Sequence, residues 1–403
     1  MAFFLIWIAI FVIFFHPECV FSNLASAELP QYFIIAALFA HLISGKKSRV
    51  NFLSEKTNIF FILFALMQIV GSFTIRTYEA ILSFNVWLRF GVVYYLIVGS
   101  ITSLKKAKAI IWAIVLGISY LVYYFIANHV MSYVPGKIAL GYGWYANAND
   151  LVLILATVVP LALIFFNLSK SLVVKIFIMV FVVLSSISIV FSLSRGGALS
   201  LLIVGLLSLF FSNKISNSIK IFFSALLIAL IVSVGVKNIL TRRDLMPGSL
   251  SGDVSSENRI IQWRAGSMMI MKKPIFGVGR GKFKYYVHHY GGIKRLQPHN
   301  TLIQVFAETG IPGGIFYLLF SFLPFYEGFK ILRQYKENKQ ALSEAHVILR
   351  FVLIALVGFW VCAFFGNRYN EYVLYVLVGI VIAVKNNLIN KVHRKERIVS
   401  LSG

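Results

Sequence analysis

Cysteine is nearly absent from this chain. Cys19 and Cys362 are its two thiols, too few for a disulfide framework or a Cys-x-x-Cys metal site. They read as buried, inert groups. Acids are scarce as well, with 14 Asp and Glu against 38 Lys and Arg for a net charge of +24. All charged residues together make up 13%, about half the roughly 25% of a soluble domain. That excludes a water-soluble globule, which needs more polar surface. Residues 1–15 contain no Lys or Arg, so a secretory leader lacks its basic start. Ala25-Ser26-Ala27 has the form of a cleavage site but lies well past the apolar run, and is expected to stay intact. No Walker loop, zinc-protease helix motif or Gly-x-Ser-x-Gly elbow occurs. No internal repeat is evident, which argues against the repeat-built transporters.

What the chain has instead is hydrocarbon. Hydrophobic residues make up 59% and mean hydropathy is +0.84. A helix crosses a bilayer with about 20 apolar residues. Such runs fall near 2–15, 29–44, 57–75, 80–101, 109–128, 150–168, 172–192, 197–212, 218–236, 302–328, 346–366 and 371–389. They predict an all-α polytopic membrane protein of about 12 spans, the first two short and tilted or partly interfacial.

The basic surplus could suggest nucleic acid, but in a membrane protein it first reports topology. Bases gather in alternate loops: Lys46, Lys47, Arg49 and Lys56; Lys105, Lys106 and Lys108; Lys170 and Lys175; Lys214 and Lys220; Lys330, Arg333, Lys336 and Lys339. The tail adds Lys385, Lys391, Arg394, Lys395 and Arg397. These loops, the tail and both termini are expected on the cytoplasmic side. The chain then divides into about nine helices over 1–236, an outer loop over 237–300, and about three helices with a basic cytoplasmic tail over 301–403.

The outer loop breaks the pattern, carrying twelve bases against Asp244, Asp253 and Glu257. Long loops cross the membrane regardless of charge, so these bases need another reason. A basic outer surface beside a bilayer suits an anionic ligand such as a lipid-linked phosphate.

Five segments could carry chemistry. Arg195, in Ser194-Arg195-Gly196-Gly197, sits at an expected outer helix start. There a guanidinium and bare amides can hold a phosphate, and Gly196 and Gly197 would let it approach the backbone; snorkelling to lipid headgroups is the plainer alternative. Residues 255–271 suggest an amphipathic helix on the membrane face, capped by Ser255. Arg259 and Arg264 are five apart on it and need not share a target, whereas Arg259 and Trp263 share a face. Gly277-Val-Gly279-Arg280-Gly281 is a tight irregular turn, or one presenting amides and Arg280 to a ligand. His299, in Gln297-Pro298-His299-Asn300-Thr301, could take a proton from a sugar hydroxyl near neutral pH, with Asn300 or Thr301 capping the next helix. Asn149 and Asp150 are natural caps at another outer helix start; Asp150 could also orient a sugar or a basic residue. His288 and His289 have no acidic partner at ligand spacing, and no metal site is expected.

In this order and spacing, Ser194-Arg195-Gly196-Gly197, Arg259, Gly277-x-Gly279, His299-Asn300 and Glu308-x-Gly310-Ile-Pro-Gly313 resemble the O-antigen ligase and polymerase superfamily. The likeness is strongest over about 140–325; residues 1–140 match only in hydropathy. The resemblance implies a C-type membrane glycosyltransferase fold in a bacterial inner membrane, its active site at the periplasmic face. It implies a glycan donor on undecaprenyl diphosphate, no metal and no other cofactor. The acceptor would be a sugar hydroxyl of lipid A-core in a ligase, or a second lipid-linked glycan in a polymerase. By position, Arg195 and Arg259 correspond to the family's pyrophosphate-binding arginines and His299 to its essential histidine. Arg264 could take the Arg259 role, and Arg280 is a secondary candidate. One dominant outer loop leans toward a ligase. A small-anion transporter is the other class, and would place charges near mid-membrane; Arg89 and Arg350 are the doubtful cases.

Overall fold

The computed structural model describes residues 1–24, 28–44, 52–73, 77–127, 148–192, 194–211, 218, 221, 251–334 and 343–402. Among them the secondary structure is helical, with no strand. The helices are α1 (Ala2–Phe15), α2 (Leu29–Ile43), α3 (Lys56–Phe73), α4 (Thr77–Ser100), α5 (Leu104–Ala127), α6 (Ala148–Leu168) and α7 (Leu172–Phe191). They continue as α8 (Arg195–Phe210), α9 (Ser251–Lys272), α10 (Phe283–Tyr286), α11 (Thr301–Gln334), α12 (Ser343–Phe364) and α13 (Tyr372–Ser402).

Nine described helices are long and apolar enough to cross a membrane; α2 and α8 are apolar but shorter. Eleven of the expected runs thus form apolar helices, and the run at 218–236, apart from 218 and 221, lies outside the described residues. So do Asn147, Lys137, Arg76, Lys46, Lys47, Arg49, Lys214, Lys220, Lys336, Lys339 and the 237–250 part of the outer loop.

The bundle is layered by burial. In α6, 78% of Asn149–Leu168 is buried inside the protein, against 28% of Leu172–Val190 in α7. The first is a central helix and the second a lipid-facing one. α6 packs on α12, which also packs on α8. Close approach is allowed at Gly358, where a Cβ would stand 2.8 Å from Val204 Cγ2 and 3.0 Å from Ala156 O. Ser200 adds a hydroxyl hydrogen bond to the Gly358 carbonyl at 3.0 Å. Small residues and hydroxyls joining apolar helices are how bundles pack in lipid.

The helices run up and down, so the two ends of the bundle differ. One end, the loop end, gathers the end of α1, the starts of α6, α8, α11 and α13, and residues 273–300. The other, the far end, carries Lys56, Lys105, Lys106, Lys170 and Arg333. The two doubtful arginines both have partners. Arg89 stands 3.9 Å from Glu28; Arg350 donates to the Phe211 carbonyl at 2.7 Å. Lys385 was read as tail, but it lies within the span Tyr372–Ile389. There it pairs with Glu55 at 2.6 Å and Glu327 at 3.0 Å. A lone ammonium so placed would be costly, and two carboxylates compensate it.

Two boundaries differ from the sequence reading. The helix expected from 255 begins at Ser251, so Ser255 lies inside it rather than at its start. Helix α11 is longer than expected and is not one rod. Gly310, at φ 74° and ψ −177°, breaks it. Thirty-four residues of continuous helix would measure about 51 Å, far more than a roughly 30 Å hydrocarbon core. The break leaves a short piece at the loop end and a membrane-length piece over 311–334.

Candidate functional site

Four helix starts and the segment 273–300 build the loop end. Helix α8 hangs from α6. Ser194 caps α8 by accepting from the Gly197 amide at 3.3 Å, and its hydroxyl donates to Asn149 Oδ1 at 2.7 Å. Arg195 is the first residue of α8 and is exposed. Gly196 and Gly197 are buried. A Cβ on Gly196 would stand 3.1 Å from Phe365, and one on Gly197 only 2.0 Å from Val152 Cγ1. The expected ligand approach at these glycines is therefore a packed helix contact. Their small size serves the protein, and Gly197 spends its amide on the cap.

Helix α9 brings in Arg259. Its buried stripe of Gln262, Ala265 and Met269 forms a small core with Val278, Phe283, Val287 and Ala307, against α11 and the 287–290 turn. Ile260, Ile261, Met268 and Met271 remain exposed, as an interfacial helix requires. Two side chains tie α9 to the strand-like run before α11. Gln262 Nε2 donates to the Ile293 carbonyl at 2.9 Å, and Trp263 Nε1 to the Pro298 carbonyl at 2.8 Å. The second bond holds the residue just before His299. His299 has a left-handed backbone, φ 50°, which a non-glycine residue adopts only when its surroundings enforce it. Asn300 then caps α11, its Oδ1 accepting from the Ile303 amide at 3.0 Å.

These supports bring Arg259 within electrostatic reach of Arg195, and His299 within reach of Arg259. Burial lowers the Arg259 pKa, and the Arg195 charge lowers it further. Burial lowers the His299 pKa below the ordinary 6.5, and the Arg259 charge adds to that. His299 is thus neutral at physiological pH and able to accept a proton. Among the described residues none of the three has an ion pair with a carboxylate. Two cations beside a neutral imidazole, without a local anion, suit an incoming one.

Arg264 is exposed, and the charges that shift Arg259 and His299 come from Arg195 and Arg259 themselves. Arg280 is elsewhere. It is half-buried, its charge acts on Tyr369 and Tyr375, and its Nε has no hydrogen-bond partner.

The glycine-rich turn around Arg280 spends its amides on the protein. Val278 N donates to Ala307 O at 2.8 Å and Gly279 N to Glu308 O at 3.0 Å. Gly281 N reaches Glu308 Oε2 at 2.8 Å and Phe283 N reaches Oε1 at 3.3 Å. Gln304 Nε2 donates to Oε1 at 3.2 Å, and the Tyr369 hydroxyl also donates to this carboxylate. The break at Gly310 exposes the receiving backbone, with Ile311 N donating to Pro274 O at 2.7 Å. Gly277, at φ 66°, has space for no Cβ, which would stand 2.5 Å from Ala307 O. Of the two readings of this turn, the tight irregular one fits. Glu308 was visible only as part of a motif; a lone acid in an apolar helix was the signal that could have marked it.

Asp150 orients a basic residue. It pairs with Arg368, a buried guanidinium that also lies 3.4 Å from Glu371. The Arg368 amide donates to Thr301 Oγ1 at 2.8 Å, and the Thr301 hydroxyl to Gly366 O at 2.8 Å. Asn149 and Asp150 therefore link α6 to both sides of the site, the Arg195 side through Ser194 and the His299 side through Arg368 and Thr301. His288 and His289 stack on each other; among the described residues no group of three or more His, Cys, Asp or Glu side chains could hold a metal ion.

Residues 180–318 match the family model described as O-antigen ligase. The matched stretch contains Arg195, Arg259, Arg264, Arg280, His299, Asn300 and Glu308, and leaves Asn149, Asp150, Arg368 and Tyr369 outside. The likeness noted in the sequence therefore holds over this stretch. No curated protein matches the chain at a significant level.

Proposed function

We propose that this multi-pass membrane protein, with an O-antigen ligase domain over 180–318, is a glycosyltransferase working at the periplasmic face of a bacterial inner membrane. Its donor is a glycan on undecaprenyl diphosphate, and its acceptor a sugar hydroxyl of lipid A-core. The observation that supports this reading is that Arg259 feels the charge of Arg195 and His299 that of Arg259, with no ion pair to a carboxylate at any of the three among the described residues. A lipid diphosphate is the anion that arginines bind bidentately, and it is also the leaving group.

The step follows from these roles. Neutral His299 takes the proton of the acceptor hydroxyl. The hydroxyl oxygen forms a bond to the anomeric carbon as that carbon's bond to the diphosphate oxygen breaks. The lipid diphosphate departs with the electron pair, and Arg195 and Arg259 stabilise its growing charge. Attack opposite the leaving group inverts the anomeric configuration. The resident residues supply the base and the charge, so the scheme needs neither a metal nor a nucleotide. Arg264 stays an alternative to Arg259 for the diphosphate, and Arg280 a secondary candidate. In this reading residues 1–236 and 301–403 anchor the enzyme, the first of them also contributing Arg195, and 237–300 contributes Arg259 and His299.

Replacing His299 by Ala should lower glycan transfer by about 100-fold or more, with normal insertion. Arg195→Ala should do the same. Wild-type transfer by either variant would overturn the assignment. Deletion in the host, followed by gel analysis of its glycolipids, separates the two family activities. A ligase loses polymer from lipid A-core; a polymerase leaves a single repeat attached.

A further inference from the structure

Residues 273–300 contain no Asp or Glu, and the part of them that follows the glycine-rich turn faces outward. Phe283 and Val287 are fully buried and pin α10 and the 287–290 turn to the small core shared with α9. That anchoring leaves Tyr285, Tyr286, His288 and His289 exposed. The chain then returns beside them. The Gly292 amide donates to the Val287 carbonyl at 3.0 Å, and the Arg295 amide to the Lys284 carbonyl at 3.1 Å. Arg295 takes a left-handed backbone, φ 66°, which a non-glycine residue adopts only when its surroundings enforce it. Lys294 comes close enough for its charge to act on His288, and Lys294 and Arg295 are both exposed. Lys284 Nζ lies 5.1 Å from the centre of the Tyr285 ring, a residue 53% exposed. Among the described residues Lys284, Lys294 and Arg295 have no ion pair.

Uncompensated cations around an exposed aromatic ring suit an anionic sugar chain. Lysine and arginine pair with carboxylates, and a tyrosine ring offers an apolar face with a polar hydroxyl at its edge. A bilayer is the other anionic surface at hand, but the exposed aliphatic side chains suited to it lie mainly on α9, at Ile260, Ile261, Met268 and Met271. The patch also leads straight to the transfer site. Arg295 precedes His299 by four residues, and the Pro298 carbonyl between them is held by Trp263. Building on the transferase reading above, we propose that the surface of Lys284, Tyr285, Lys294 and Arg295 binds the donor's glycan beyond its reacting sugar, and that this glycan is acidic, bearing carboxylate groups. A neutral glycan would leave these cations facing water.

Binding of defined oligosaccharides to the full-length protein tests this. The protein is placed in phosphatidylcholine nanodiscs, which carry no net charge, and titrated with an oligogalacturonate or a neutral malto-oligosaccharide of the same length. No donor is present, so this binding can fail while the transfer reading stands, and the reverse. Wild type should bind the oligogalacturonate at least about tenfold more tightly than the neutral chain. Lys284→Gln combined with Arg295→Gln should weaken that binding about fivefold or more. Should the double variant fail to fold, Lys294→Gln, at an exposed position, should weaken it in the same direction. Lys272→Gln with Lys273→Gln removes two exposed charges at the end of α9 and should leave it unchanged. Equal binding of the two oligosaccharides by wild type overturns the proposal. So does an equal loss in the two double variants, which would indicate diffuse attraction. A fluorophore on Tyr285→Cys should escape quenching by brominated phosphatidylcholine; strong quenching would put the patch on the bilayer and overturn the proposal as well.

Discussion

Two sets of cations share the loop end, and their surroundings are opposite. Arg368 is buried, paired with Asp150 and Glu371, and bonded through its amide to Thr301. Arg195 is exposed and Arg259 half-buried; burial, and after it the nearest cationic charge, lowers the pKa values of Arg259 and His299. The first set is complete within the protein, while the second gains from an added anion. Sequence position does not separate Arg368 from Arg195, since both lie at helix boundaries. Their partners do: a cation with two acids beside it is holding helices together, and cations that repel one another are waiting for a ligand.

The largest expected effect tests the complete set. Arg368→Ala leaves Asp150 and Glu371 without their shared cation. Removing one member of a buried ion group costs about 3–5 kcal/mol. Thermal unfolding in detergent should therefore show a large loss of stability. Arg195→Ala, by contrast, should leave unfolding within about 0.5 kcal/mol of wild type, as for an exposed residue, while transfer is lost. If Arg195→Ala unfolds the protein as readily as Arg368→Ala, the contrast between the two sets is broken.

A smaller effect tests the platform between them. Tyr369→Phe removes one hydroxyl donor from the buried Glu308 carboxylate and leaves the Gln304, Gly281 and Phe283 donors in place. An acceptor deprived of one partner costs about 1–3 kcal/mol. The loss should be local, so hydrogen exchange at the Gly281 and Phe283 amides should accelerate more than exchange in α6 or α12. Uniform acceleration would mean that Glu308 stabilises the whole bundle and not the docking of the 274–283 turn.

How much of this was legible beforehand depends on the range of the interaction. Hydropathy is a local property, and the apolar runs became helices nearly where they were expected. The positions of Arg195 and His299 at the loop end were legible because their motifs stand next to helix starts that topology already placed. The role of Arg368 was not, because Asp150 lies more than two hundred residues away in sequence. Glu308 was hidden for the same reason, since its partners come from 281–283 and from Tyr369. The break at Gly310 had a local signal in Gly310-Ile-Pro312-Gly313, yet only the docking of Pro274 on the Ile311 amide explains why the helix opens there. Gly196 and Gly197 misled in the opposite sense. Glycine next to arginine reads as room for a ligand, but Phe365 and Val152 occupy that room.

The smallest expected effect sharpens the open set most. Burial is the larger cause of the low His299 pKa, and the Arg259 charge the smaller. Because the folded value lies below the ordinary 6.5, protonation of His299 opposes the folded site. Both the neutral base and its share of stability are intact above pH 6.5 and are lost as pH falls through the lowered value. Arg259→Gln removes the electrostatic cause and keeps the burial, so the His299 pKa should rise but stay below 6.5. Labelling of His299 by diethylpyrocarbonate, followed by mass spectrometry across pH, reads this directly because only neutral imidazole reacts. Arg264→Gln should leave the labelling curve where it is, since Arg264 is not among the charges acting on His299. An equal shift in the Arg264 variant would place both arginines of α9 in the open set, and would remove the reason for assigning the diphosphate to Arg259 in preference to its neighbour.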